Sequence, residues 1–231
     1  MIKISQRLEG AVLEINKVYL MDCMQGMKDF PDKYFELAIV DPVFGKQVKQ
    51  GGYMKNKSSV MAKNTLYNTA LWSQKKTNTE YFAELFRISA NQIIWGGNYF
   101  IQEIHKNTSC FIVWDKDNGS NDFADCELAW TSFDTATRKF KYKWQGMLQE
   151  NMKHKEIRIH PTQKPVALYK WLLKNYANEG DKILDTHMGS GSSIIACHDM
   201  KFDYIGFEID KEYFNKAYIR IESEKSQLRI F

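Results

Sequence analysis

The order of apolar and polar positions divides the chain into short blocks. Lys17 to Met21 predicts a strand ending at Asp22, and Met24 to Phe30 a short helix stopped by Pro31. Tyr34 to Val40 is a mostly apolar run closed by Asp41-Pro42, the pattern of a buried strand. Glu80 to Ile88 has helical spacing at Tyr81, Phe82, Leu85 and Phe86, followed by a strand at Gln92 to Trp95 that runs into Gly96-Gly97. Phe111 to Trp114 is a further strand. Glu127 to Phe133 and Lys139 to Trp144 read as a pair of strands joined by Asp134 to Arg138.

The last third alternates more cleanly. Val166 to Ala177 predicts a helix, with Pro165 suited to its first turn and Gly180 just past its end. Lys182 to Leu184 is a strand ending in Asp185, and a Gly-rich turn leads into a helix from about Ser193 to Met200. Asp203 to Phe207 is a strand ending in Glu208, and Asp210 suits the N-cap of a final helix to about Glu224. This alternation predicts an α/β fold: an open, mainly parallel, doubly wound sheet with helices on both faces.

With 231 residues, 44% hydrophobic and 26% charged, the chain is expected to form one globular domain, not a disordered tail, a collagen-like chain or a coiled coil. No apolar run approaches the roughly 18–20 residues that span a membrane. The segment Met1 to Ser5 has no apolar signal core, so a cytoplasmic protein with no membrane partner is expected. Cys23, Cys110, Cys126 and Cys197 form no C-x-x-C pair and lie near no His cluster at zinc spacing. They are expected to be reduced and mostly buried, with no metal site.

The formal net charge of +4 says less than its distribution. No acidic residue falls between Asp41 and Glu80, whereas Lys46, Lys49, Lys55, Lys57, Lys63, Lys75 and Lys76 do, interleaved with Tyr53, Tyr67 and Trp72. Poor apolar periodicity there predicts a long loop or insert over about 46–79. A second basic stretch holds Arg138, Lys139, Lys141, Lys143, Lys153, Lys155 and Arg158 against only Glu150 and Glu156. Lysine runs are usually solvated surface. The lack of acids, with aromatics and amides between, points instead to nucleic-acid phosphates.

The candidate chemistry lies in Asp185-Thr186-His187-Met188-Gly189-Ser190-Gly191-Ser192-Ser193, between a strand and a helix. Its glycines permit a tight turn and close approach to a ligand, and the helix start offers free N–H groups. Glu208, 23 residues after Asp185 at the end of the next strand, stands where a βαβ unit reaches a ribose. Position 194 is Ile, so the third glycine of G-x-G-x-x-G is missing, and no G-K-[ST] follows. An Asp opening the loop suits a ligand with a ribose and an ammonium group better than a pyrophosphate.

Asp41-Pro42-Val43-Phe44 after a strand, His160-Pro161-Thr162-Gln163-Lys164-Pro165 before a helix, and the Asp185-to-Gly191 loop occur in that order. Together they resemble the amino-group DNA methyltransferases, which methylate adenine N6 or cytosine N4. The order, catalytic tetrapeptide first and cofactor loop last, resembles the circularly permuted beta group. The resemblance covers about Val12 to Glu224 and is weakest over Lys46 to Thr79. It implies S-adenosylmethionine as cofactor and double-stranded DNA as partner. It also implies that the tetrapeptide grips a flipped-out base. Asp41 and the Pro42 carbonyl would accept the two amino N–H bonds and Phe44 would stack on the base. Asp rather than Ser at position 41 favours adenine in the family pattern.

The resemblance assigns the cofactor to Asp22, Cys23, His160, Thr162, Lys164, Asp185, Thr186, His187, Gly189, Gly191, Glu208 and Ile209. Asp22 would meet the cofactor's adenine amino group or simply cap the next helix, and Cys23 would line that edge by its backbone. Ile209 would pack on the adenine face or on the core. Thr162 and Lys164 would hold the methionine carboxylate, His160 would line the site or serve as a capping or packing residue, and His187 would be a pocket wall rather than a base. The insert from Lys46 to Lys76 would contact phosphates, and a segment of about 110–158 would supply base contacts. Without a large recognition domain, a short recognition sequence or a second subunit is expected. A restriction–modification role would add a partner nuclease.

Two departures stand out. Thr186 and His187 replace the Pro and Phe usual in the cofactor loop, and Val43 replaces the second proline of the tetrapeptide. Without the ring constraint a less organised base clamp is expected. That leaves as alternatives a cofactor- and DNA-binding pseudo-enzyme, or transfer to RNA or to cytosine N4.

Overall fold

The computed structural model describes residues 13–45, 76–119, 124–145 and 148–226. The sheet is built around β2 (Phe35–Val40), in which Leu37 and Ile39 join the core on one face and Ala38 and Val40 that on the other, all buried. A strand apolar at successive positions must be covered on both sides. It pairs in parallel with β3 (Ser89–Trp95) on one edge and β7 (Lys182–Asp185) on the other. Beyond β7 the parallel run continues through β8 (Asp203–Glu208) to β1 (Lys17–Leu20). Beyond β3 come β5 (Cys126–Thr131), β4 (Phe111–Asp115) and β6 (Arg138–Lys141), giving the order β1-β8-β7-β2-β3-β5-β4-β6.

Helices α4 (Val166–Tyr176), α5 (Ser192–Met200) and α6 (Lys211–Ser226) cover one face, where Leu168, Leu172, Ile195 and Ala217 join Leu37 and Ile93 in one core. Helices α1 (Cys23–Met27), α2 (Thr79–Ile88) and α3 (Ile101–Ile104) cover the other, where Met27, Phe82, Leu85 and Ile104 join Val40 and Ile94. Each fully buried side chain of this size contributes about 1.5–3 kcal/mol, and truncating one to Ala costs about 2–5 kcal/mol.

The predicted α/β sheet forms, but the expected pairing of Glu127–Phe133 with Lys139–Trp144 does not. β4 lies between the two, antiparallel to β5 and parallel to β6. Both runs find a better neighbour in β4, whose Ile112 and Trp114 are buried, than in each other across their connecting turn. α1 starts at Cys23 because the Asp22 side chain accepts the Met24 N–H at 2.9 Å. α2 starts at Thr79, within the expected insert, because the Asn78 side chain accepts the Tyr81 N–H. Pro165 caps α4 from outside its first turn, and the helix stops at Tyr176. All four cysteines are free; Cys126 alone is exposed. Among the described residues no helix is long and apolar enough to cross a membrane.

Candidate active site

Four parallel strands end at acids: β1 leads to Asp22, β2 to Asp41, β7 closes on Asp185 and β8 on Glu208. Parallel pairing aligns these ends at one edge of the sheet, where open α/β folds bind ligands. A cleft of about 270 Å³ opens there. Of the expected site residues, Asp22, Cys23, Asp41, His160, Thr162, Lys164, Thr186, His187, Gly189, Glu208 and Ile209 line it, with Lys76 at the same wall. Asp185 is buried beneath the lining and Phe44 stands beside it, stacked on Tyr99 with ring centres 4.7 Å apart. Lys46, Lys49, Lys55, Lys57, Lys63 and Lys75 lie outside the described residues.

The loop after β7 is held by its own acids. Asp185 accepts the His187 N–H at 3.0 Å and the Ser193 hydroxyl at 2.5 Å. Burial pushes its carboxyl up to about 7. Glu208 accepts the Gly189 N–H at 3.0 Å and the Asp210 N–H at 2.8 Å, and burial raises it too. Gly189 and Gly191 have φ of +51° and +74°, and a Cβ at Gly191 would stand 2.7 Å from Ile221. From α6, Arg220 donates to the Ser190 carbonyl and to the Ser192 hydroxyl, each at 2.9 Å, and pairs with Glu156 at 2.6 Å. Nothing in the sequence pattern singled out Arg220.

His160 and His187 line the cleft. The His160 ring meets Tyr213 edge-on at 4.3 Å, and its Nδ1 lies 3.1 Å from the Thr162 hydroxyl. His187 meets Tyr81 edge-on at 5.3 Å, and its Nδ1 lies 2.9 Å from the Thr186 hydroxyl. Burial lowers both rings to about 4, so both are neutral near pH 7. Burial pushes the Cys23 thiol up to about 12, which leaves it unreactive. Ile209 is 55% exposed in the cleft, an apolar surface a ligand could cover.

At the other end of the cleft, Asp41 Oδ2 lies 2.6 Å from Lys164 Nζ. The resemblance placed Lys164 on the cofactor's carboxylate. In the structure its buried ammonium meets Asp41 and, at 3.2 Å, Glu127, because the end of β2 and the start of β5 bring two partly exposed acids to it. Lys116 pairs with the other oxygen of Glu127 at 2.6 Å.

The Val43 carbonyl accepts both the backbone N–H of Thr77, at 2.9 Å, and its hydroxyl, at 3.0 Å. These two bonds tie the Val43 backbone at the position where the family pattern has a proline ring. Gly45, with φ of +71°, packs so closely that a Cβ would be 3.3 Å from Lys76. Lys76 itself pairs with Glu103 at 2.5 Å. Three lysines of the second basic stretch have acid neighbours from elsewhere in the chain. Lys139 meets Asp115 at 3.4 Å, and Lys141 and Lys143 meet Asp117 at 2.9 and 3.3 Å. The compensating acids come from β4 and the residues after it, outside the stretch in sequence but beside it in the sheet.

Thr77, Asn78, Tyr81 and Glu127 were not anticipated. Asn78 before an acidic, apolar helical run is a legible cap signal; the reach of Tyr81 to the Thr186 hydroxyl, 2.5 Å, is not.

Comparison with known proteins agrees with this geometry. The profile of a family described as DNA methylase matches residues 38–219. The Type II methyltransferase M.HpaI of Haemophilus parainfluenzae is 42% identical over 71 residues, 31% of this chain and 23% of that protein. The Type II methyltransferase M2.DpnII of Streptococcus pneumoniae is 26% identical over 159 residues, 69% of this chain and 52% of that one. The chain thus spans about half or less of the length of these relatives. The fold is shared with the crystal structure of the M1.HpyAVI–SAM complex, at TM-score 0.54, 22% identity, and coverage of 88% of this chain and 98% of that one. It is shared also with the cytosine-N4-specific PvuII DNA methyltransferase, at TM-score 0.57, 14% identity, and coverage of 90% and 89%. The family match runs from inside β2 to inside α6 and so takes in both ends of the cleft: the chain belongs to the amino-group DNA methylases, the family of N6-adenine and N4-cytosine enzymes.

Proposed function

We propose that the protein transfers a methyl group from S-adenosylmethionine to adenine N6 of a base turned out of duplex DNA. One observation carries this reading: a single cleft joins the glycine loop and acids of β7 and β8 to the Asp41 tetrapeptide at the end of β2. The cleft suits that cofactor. It offers exposed Ile209 for an apolar ring face, Glu208 beside the glycine turn for a ribose, and no lysine or arginine in the loop to draw a pyrophosphate.

The cofactor supplies an electrophilic methyl group on a sulfonium. Asp22, Cys23 and Ile209 take its adenine end and Glu208 its ribose. Gly189 and Gly191 keep the turn close, while Asp185 holds the loop's shape from below. Thr186, His187, His160 and Thr162 form the wall. Asp41 and the Pro42 carbonyl accept the two N–H bonds of the target amine, leaving the nitrogen lone pair free, and Phe44 stacks on the base. The lysines of the insert contact phosphates. Asp at position 41 supports adenine over cytosine.

The test is incubation with duplex DNA and cofactor, digestion to nucleosides and mass spectrometry, with RNA in parallel. N6-methyladenine that disappears in Asp41→Ala supports the reading. N4-methylcytosine or methylated RNA would replace the substrate. No product, with cofactor binding intact by calorimetry, would leave a binding protein that transfers nothing.

A further inference from the structure

Two acids share one ammonium at the base-gripping end of the cleft. Lys164 is 4% exposed, its Nζ lies 5.3 Å from the centre of the Trp95 ring, and it meets Asp41 Oδ2 at 2.6 Å and Glu127 Oε2 at 3.2 Å. Asp41 Oδ1 receives no hydrogen bond from the described residues, whereas Oδ2 is taken.

We propose that Lys164 is a positioning residue for Asp41: it holds the carboxylate by Oδ2, leaving Oδ1 to accept the target amine's N–H, while Glu127, backed by Lys116, holds Lys164 in place. This rests on the role given to Asp41 above. The logic is one of polarity. An ionised carboxylate only accepts hydrogen bonds, but a protonated one can donate, which is the wrong partner for an amino group that must present its N–H bonds. A buried ammonium on one oxygen favours the ionised form against burial and fixes the plane of the group.

The groups facing Asp41 pull in opposite directions. Burial, the largest influence, and Glu127 push its carboxyl up, Lys164 and Lys116 pull it down, and the balance lies above the ordinary carboxylate value. Asp185, Tyr81 and Tyr169 are near enough to feel its charge. Removing Lys164 and removing the charge of Glu127 must therefore move Asp41 in opposite directions. Proximity alone gives that pair of signs; a positioning role adds that kcat and its acid limb follow the Asp41 titration while cofactor affinity does not move.

The experiment compares Lys164→Met and Glu127→Gln by the pH dependence of kcat and by ¹³C NMR titration of the Asp41 carboxyl, assigned with Asp41→Asn. Lys164→Met should shift the Asp41 titration and the acid limb of kcat upward by about one pH unit or more, and lower kcat roughly tenfold or more. Its cofactor affinity, by calorimetry, should stay within about threefold, since the ammonium is engaged away from the cofactor. Glu127→Gln should shift the titration downward. Shifts of the same sign, or none, overturn the proposal. So does a tenfold loss of cofactor affinity in Lys164→Met with the Asp41 titration unmoved, which would return Lys164 to the cofactor's carboxylate. If Lys164→Met does not fold, the sign for Glu127→Gln, a partly exposed position, decides. If the wild type transfers no methyl group, the proposed function fails, and the carboxyl titration still decides this inference.

Discussion

Thr77 clamps the carbonyl of Val43 with two hydrogen bonds, one from its backbone and one from its hydroxyl. The position where the family pattern has a second proline is thus tied by the chain on the far side of the insert. Thr77→Val keeps the backbone bond and loses the other, a change of about 1 kcal/mol. It should lower kcat/KM for DNA about fivefold and leave cofactor affinity unchanged. Val43→Pro keeps the carbonyl and should change kcat/KM by less than about threefold. A large gain on restoring proline would show that the tether does not do the ring's work.

Gly191 has no room for a side chain. Gly191→Ala combines a left-handed backbone with a Cβ 2.7 Å from Ile221, and should destabilise by about 2–4 kcal/mol in urea unfolding. Ile221→Ala in the same chain should recover the clash but not the backbone strain, so the coupling between the two changes should be favourable. Simple additivity would place the strain elsewhere.

Glu208 organises the loop by accepting the N–H groups of Gly189 and Asp210. Glu208→Ala removes both acceptors and the carboxylate that faces the cleft. S-adenosylmethionine should bind about tenfold or more weakly by calorimetry. Unchanged affinity would detach Glu208 from the cofactor.

His160 gives the fold a pH dependence of known sign. Its folded value of about 4 lies below the ordinary 6.5, so the unfolded chain takes up the proton first as pH falls. The stability it confers is complete above about pH 6.5 and is lost progressively toward pH 4, at about 1.4 kcal/mol per unit within that window. Between pH 8 and pH 5, wild type should therefore lose about 2 kcal/mol more unfolding free energy than His160→Gln. Parallel losses in the two proteins would mean that His160 is protonated in the fold.

The lysines of the insert should appear in the salt dependence of DNA binding rather than in chemistry. Each of Lys55, Lys57 and Lys63 changed to Gln should lower the slope of log affinity against log salt by about 0.9 if it neutralises a phosphate. An unchanged slope would remove that lysine from the DNA surface.

What could be read from the sequence followed the distance over which it acts. The βα units of the last third were legible because a strand, a Gly turn and a capped helix are local signals, and they delivered Asp185, Gly189, Gly191 and Glu208 to one edge of the sheet. The order β3-β5-β4-β6 was not, because two aromatic runs, Glu127–Phe133 and Lys139–Trp144, compete for the same partner strand and only burial of Ile112 and Trp114 chooses. Lys164 illustrates the limit. Its motif placed it at the site, but its partners Asp41 and Glu127 come from two other segments, and no spacing announces that they meet.

The central place of β2 also bears on how the protein is made. Its edge toward β3 is satisfied by residues 89–95, past the insert, while its edge toward β7 waits for residues 182–185. A nascent chain leaving the ribosome therefore carries an apolar strand with one open edge through most of its synthesis, the kind of surface that recruits chaperones or mispairs with a neighbour. Assembly of the cleft is delayed in the same way, because the strands that hold the glycine loop are the ones that close that edge.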